Sequence, residues 1–214
     1  MCSSSAELAR RLRLVLVTPG DRAPEATQVL VERALAGGVT AVLLREPQLG
    51  RDERNFLAQE LATAVREAGA LLLLHNDVEA ALECAADGVH LGWGGPGVAG
   101  ARAAAPGLLV GRSAHWPLQD DDRAADYLLL SPFRPTPKAR PRPLLTAEQV
   151  QGAIDEPRRG PIIALGGLDA AAVATLPSGL AGVAVLRAIA QAEDPAAAAA
   201  ALREAVERRW PVAA

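Results

Sequence analysis

Short apolar runs alternate with alanine-rich amphipathic segments along the whole chain. The runs lie near residues 12–18 (LRLVLVT), 40–45 (TAVLLR), 71–75 (LLLLH), 87–92 (DGVHLG), 108–113 (LLVGRS), 126–131 (DYLLLS), 161–165 (PIIAL) and 181–186 (AGVAVL). They are apolar on both faces, as parallel strands covered by helices are. Helical segments are predicted between them, over 24–37, 51–68, 77–85, 97–105, 117–124, 146–155, 169–176 and 195–209. The last opens on Asp194-Pro195, a capping residue followed by proline at the first helical position. Eight strand–helix repeats predict an α/β fold, a single (β/α)8 TIM barrel. A doubly wound open sheet is the alternative, but the first turn, Thr18-Pro19-Gly20-Asp21, lacks a G-x-G-x-x-G pattern. Residues 1–10 read as a flexible leader and residues 11–214 as the barrel domain.

Composition narrows the function. Of 214 residues half are apolar and 22% charged, and the net charge is −3. No strong field favours nucleic acid or an anionic membrane, and 3% aromatics leave little for base stacking. Cys2 and Cys84 form no disulfide or zinc spacing, so a cytoplasmic location is expected. The segment MCSSSAELAR lacks the apolar core of a signal peptide, and the leucines 71–74 are far too few to span a bilayer.

In a barrel, chemistry sits at the C-terminal ends of the strands. Those ends carry Arg45, Asn76 with Asp77, His90, Ser113 with His115, Ser131, Gly166 with Gly167, and Arg187. Glycines let the backbone approach an anion, and loops after strands seven and eight recurrently bind phosphate in this fold. A tight turn with positive φ demands the same glycines. Arg187 suits a charge-assisted contact to that phosphate, or an ordinary surface salt bridge. Asn76-Asp77 fits an Mg²⁺ site or a helix cap, and the residue types by themselves favour the cap. His115 and His90 have the ordinary pKa for proton transfer, or serve as hydrogen-bonded structural residues. The stretch 132–145 carries five prolines and four basic residues and reads as a binding loop or a surface loop.

The segments GGVTAVLLREP (37–47), LLLLHNDVEAALECAADGVHLG (71–92), VGRSAH (110–115), ADYLLLSPFRPTPK (125–138), PIIALGG (161–167) and AGVAVLRAI (181–189) occur in order. Together they resemble the thiamine phosphate synthase / TenI superfamily across residues 12–205. The resemblance implies a (β/α)8 barrel and one of two activities. Thiamine phosphate synthase couples a hydroxymethylpyrimidine diphosphate to a thiazole phosphate, with Mg²⁺ on the diphosphate. TenI-type proteins tautomerise a thiazole carboxylate phosphate without a cofactor.

The chain departs from the synthase pattern. Where that pattern reads Gln-Leu-Arg-x-Lys, this chain has Leu43-Leu44-Arg45-Glu46-Pro47. Gln, an acidic residue and a metal-binding Asp become Trp93, Gly94 and Gly95. The Pro-Thr-x-Thr-Lys loop shortens to Pro135-Thr136-Pro137-Lys138, and Arg187 stands at a phosphate-binding serine. Gly-Arg-Ser-x-His (111–115) is kept, and His115 matches the acid/base histidine of the tautomerases.

The expectation is therefore a tautomerase. His115 is its catalytic residue. Arg45, Asn76, Ser113, Thr136 and Lys138 bind substrate, and Gly166, Gly167 and Arg187 bind phosphate. The alternatives are a divergent synthase, with Asp77 on Mg²⁺, and a non-catalytic thiazole or thiamine phosphate binder. The expected partner is a small phosphorylated thiazole, with no nucleic acid or membrane, in a homodimer or higher oligomer.

Overall fold

The computed structural model describes residues 5–92, 95–136 and 142–211. Eight parallel strands close on themselves: β1 (Leu14–Val17), β2 (Ala41–Leu44), β3 (Leu71–His75), β4 (Gly88–Leu91), β5 (Leu109–Ala114), β6 (Tyr127–Leu130), β7 (Ile162–Leu165) and β8 (Gly182–Val185). Each pairs with the next in sequence, and β8 returns to β1 with Leu14 opposite Val183. The fold is a (β/α)8 TIM barrel, as the alternation of apolar runs predicts.

Helices α2 (Pro24–Ala36), α3 (Arg51–Glu67), α4 (Val78–Glu83), α5 (Val98–Ala104), α6 (Asp120–Ala124), α7 (Ala147–Asp155), α8 (Ala170–Val173) and α10 (Pro195–Arg209) follow successive strands. The short α9 (Arg187–Ala190) intervenes after β8. The alanine run of α10 explains its own composition. A Cβ on Gly37, at the end of α2, would lie 2.3 Å from the Ala196 carbonyl oxygen and 2.6 Å from the Ala199 Cβ. Only small residues let these two helices approach so closely. Asp194 caps α10 by accepting the Ala196 and Ala197 N–H groups, as its Asp-Pro start predicts.

One boundary differs from expectation. Residues 5–11 form helix α1 (Ser5–Arg11), whereas residues 1–10 read as a flexible leader. Leu8 and Leu12, one helical turn apart, are buried with Val15, Leu71 and Tyr127. That burial holds the segment against the N-terminal end of the barrel.

Two apolar layers result. Inside the barrel lie Val15, Val17, Ala41, Leu43, Leu71, Leu73, Tyr127, Leu129, Ile163 and Ala184. Between sheet and helices lies the larger cluster, built on alternate positions such as Leu14, Leu16, Val42 and Leu44. The period of two along each strand thus sorts every residue inward or outward. Among the described residues no helix is long and apolar enough to cross a membrane.

Candidate active site

Strand alternation carries the inward phase to the C-terminal mouth. Arg45 is in phase with Ala41 and Leu43, His75 with Leu71 and Leu73, and Ser131 with Tyr127 and Leu129. Arg45 is fixed through its backbone N–H, which donates to the Oγ1 of buried Thr18 at 2.8 Å. Its half-buried guanidinium has no hydrogen bond or ion pair among the described residues. Arg187, at the start of α9, is likewise half-buried with no partner. Two such cations at one end of a barrel suit an anionic ligand.

Below them runs a neutral polar chain. His90 is 1% exposed. Its Nε2 is 2.9 Å from Ser113 Oγ, and its Nδ1 is 3.2 Å from Tyr127 Oη. His75 stacks on it with ring centroids 6.4 Å apart. Burial, then His75 and Arg112, pushes the pKa of His90 down to about 3. Burial, then Arg45 and Arg54, lowers that of His75 to about 4. Burial pushes the Tyr127 phenol up. At neutral pH the chain is uncharged, and its hydrogen bonds hold Ser113 from beneath.

The folded values of both histidines lie below the ordinary 6.5, so the unfolded chain binds more protons on acidification. The stability contributed by neutral His90 is full above its unfolded pKa and is lost as the pH falls toward about 3. Moving from about pH 7 to about pH 5 is expected to remove about 2 kcal/mol through His90 alone. Urea denaturation at both pH values measures the loss, and a His90→Gln variant should show a shallower dependence. An unchanged slope would place the effect elsewhere.

The remaining candidates fall into two groups. Gly166 and Gly167 have φ of +108° and +64°, so the turn itself requires glycine at both. The loop after β6 lies on this turn: the Phe133 N–H donates to Leu165 O at 3.2 Å, and the Arg134 N–H to Gly166 O at 3.0 Å. Half-buried Thr136 follows two residues later. His115 Nδ1 donates to the Ser131 carbonyl at 2.6 Å, joining the ends of β5 and β6. A carbonyl only accepts, so the neutral ring carries its proton on Nδ1. Lys138 and Trp93 lie outside the described residues.

Asn76 and Asp77 point to different places. Asp77 caps α4, accepting the Ala80 N–H at 3.0 Å, and its other oxygen pairs with Arg54 at 2.9 Å. Burial raises its pKa, but the Ala80 bond and Arg54 outweigh that and hold it below the usual carboxylate range. Asn76 has φ +59° and turns its Oδ1 onto the Gly92 N–H at 2.7 Å.

Sequence reasoning missed four residues: His75, Tyr127, Thr18 and Glu46. Glu46 is 2% exposed. Its Oε2 accepts from Gln48 at 2.7 Å, and its Oε1 has no partner. It lines a cavity of about 220 Å³ with Arg54, His75, Asn76 and Asp77. The alternation that marks Leu71 and Leu73 as inward marks His75 too, and was the signal available.

A closed parallel barrel with half-buried arginines at the strand C-termini, unpaired among the described residues, defines a (β/α)8 protein of the ligand-binding, enzyme-bearing kind. The chain belongs to the thiamine monophosphate synthase (TMP-TENI) family, whose model matches residues 14–189. It is 35% identical to the thiamine-phosphate synthase of Bacillus velezensis over 97% of each chain. It is 38% identical to that of Bordetella avium, covering 79% of this chain and 83% of the relative. Thiamine phosphate pyrophosphorylase from Pyrococcus furiosus superposes with a TM-score of 0.80 at 27% identity, covering 95% and 99% of the two chains.

These relatives overturn the tautomerase expectation and favour its synthase alternative. That expectation rested on replaced positions around the mouth, among them Leu43, Pro47, Gly95 and Arg187, and on the match of His115 to the tautomerase histidine, whereas the likeness to synthases extends over nearly the whole chain. The isomerase assignment falls with it.

Proposed function

We propose that this protein is a thiamine-phosphate synthase, a transferase joining a hydroxymethylpyrimidine diphosphate to a thiazole phosphate. Near full-length likeness to proteins of that name carries the reading. In the balanced step the thiazole nitrogen supplies the electron pair of a new C–N bond. The C–O bond to the diphosphate breaks, and pyrophosphate leaves with the electron pair of that C–O bond. No proton need move, so His115 takes a different part from the one first expected: its bond to Ser131 fixes the start of the loop over Gly166 and Gly167.

Charge develops on the leaving pyrophosphate, and preorganised cations there lower the barrier. Arg45 is assigned to the diphosphate. Gly166, Gly167 and Arg187 hold the thiazole phosphate. Ser113 and Asn76 orient the ring, and Thr136 and Lys138 belong to the covering loop. The reading brings Mg²⁺ with the diphosphate, but the described residues do not fit a protein-held ion. Asp77 has both oxygens engaged, and Asn76 is a neutral amide bonded to Gly92. No step here depends on one.

The purified chain, given both substrates with Mg²⁺ in solution, is expected to release pyrophosphate and form thiamine phosphate in equal amounts. A folded protein that does neither, while a known synthase does both in parallel, overturns the proposal.

A further inference from the structure

The polar chain beneath the mouth has a direction, and its inventory of donors and acceptors fixes it. Gly111 makes the chain possible. It stands opposite Tyr127 across β5 and β6, and a Cβ there would lie 2.4 Å from the phenol oxygen. With no side chain at 111, the ring crosses the barrel interior and brings Oη to 3.2 Å from His90 Nδ1. On the other side of the imidazole, Nε2 lies 2.9 Å from Ser113 Oγ. Ser113 is two residues beyond Gly111 on β5 and shares its inward phase, one step nearer the mouth.

These three side chains allow two proton arrangements. Burial keeps His90 uncharged and Tyr127 protonated at neutral pH, so the imidazole offers one donor and one acceptor, and the phenol one hydrogen. In the first arrangement the Tyr127 O–H donates to Nδ1, and Nε2–H donates to Ser113. In the second, Nδ1–H donates to Tyr127, and the Ser113 hydroxyl donates to Nε2. Tyr127 has no exposed surface, and His90 is its only hydrogen-bond partner among the described residues. The second arrangement therefore strands the phenol hydrogen in an apolar interior, which favours the first by about tenfold or more. The first strands nothing. Half-buried Ser113 accepts from below, and its own hydrogen is left to turn toward the mouth.

We propose that Tyr127 is a positioning residue: through His90 it fixes Ser113 as a hydrogen-bond donor toward the mouth, where the hydroxyl hydrogen meets an acceptor atom of the pyrimidine diphosphate. The direction of the chain stands without the synthase reading; the ligand rests on it. Sequence spacing gives Ser113 a place at the mouth, but which way its hydrogen points is set by a residue on the next strand and one layer deeper.

Nitrogen NMR of the isotope-labelled full chain at neutral pH reads the direction without any substrate. The chain has three histidines, and His90→Gln assigns the ring signals of His90. Wild type is expected to show His90 protonated on Nε2 and bare on Nδ1. In Tyr127→Phe, checked for folding by circular dichroism, the bias is gone and the proton should move in part to Nδ1. A wild-type proton on Nδ1 overturns the direction, whether or not any variant folds. An unchanged His90 spectrum in folded Tyr127→Phe overturns the role of Tyr127.

Binding is then measured calorimetrically with hydroxymethylpyrimidine diphosphate and, separately, with inorganic pyrophosphate. Ser113→Ala is expected to weaken the first by about three- to tenfold. A loss confined to the first ligand puts the acceptor on the pyrimidine ring, and an equal loss for both puts it on the diphosphate. No loss for either overturns the donor assignment. Tyr127→Phe should weaken the first ligand by at least about twofold in the wild-type background and leave it unchanged in Ser113→Ala, because it acts through the hydroxyl already removed. The same factor in both backgrounds would make Tyr127 a packing residue only. A folded wild type that binds neither ligand counts against the synthase reading, and the ligand named here falls with it, while the nitrogen spectrum still decides the direction.

Discussion

Arg45→Ala is expected to lower kcat/KM for the coupling reaction by about 10² to 10³, the effect of removing one preorganised donor from developing charge. The backbone bond to Thr18 places the guanidinium at the mouth, and among the described residues it makes no hydrogen bond or ion pair of its own. Removing it therefore leaves the fold intact, and the melting temperature should move by less than about 2 °C. On the proposed reading the leaving diphosphate gains negative charge as the C–O bond breaks, so a contact from Arg45 would strengthen toward the transition state. The loss should accordingly appear in kcat as well as in KM. Arg45→Lys keeps the charge but not the planar fork, and should recover only part of the rate. Steady-state kinetics with both substrates varied separates these effects. A loss below about tenfold in Arg45→Ala would move the diphosphate elsewhere on the mouth.

Much of this was legible in the chain before any coordinates. Each of the eight apolar runs is a strand, because runs buried on both faces have few other homes in an α/β protein. The N-terminal segment was misread, although Leu8 and Leu12 stand at helical spacing. One pair of apolar residues is too little pattern to identify a helix whose stability comes from docking on the barrel. The mouth was legible at Arg45, Ser113 and Arg187, since strand ends follow from strands. The inner polar chain was not. His90 was noted as a single residue, but its partners Tyr127 and His75 sit on strands far apart in sequence, and only closure brings them together. The place of Asn76 was hidden for another reason. Its left-handed backbone breaks the strand's alternation, so sequence spacing cannot say which of Asn76 and Asp77 faces Gly95. At the level of activity the error was one of weight: a handful of replaced positions near the mouth and one matching histidine, His115, counted for more than a likeness spread over the whole barrel.

The largest effect on stability is expected from Gly111→Ala. Gly111 lies in β5 opposite Tyr127 of β6, and a Cβ there would fall 1.9 Å from the tyrosine Cζ and 2.4 Å from its Oη. Tyr127 has no exposed surface and packs among the barrel's interior side chains, so the ring has nowhere to retreat. A close-packed core does not absorb such overlap without moving strands, and the cost should reach about 3 kcal/mol or more. For a chain of this size that corresponds to a melting temperature lower by roughly 6–12 °C. Tyr127→Phe should not rescue the variant, because the clash is with ring carbons as well as the hydroxyl. Tyr127→Leu should recover more than half of the loss, since it removes the ring edge at the clash. On its own, Tyr127→Phe leaves His90 Nδ1 without its partner in the interior and should cost about 1–3 kcal/mol. Thermal melts of the two single variants and the double variants measure all of these. A Gly111→Ala protein that melts within about 2 °C of wild type would show that the barrel interior yields where close packing says it should not.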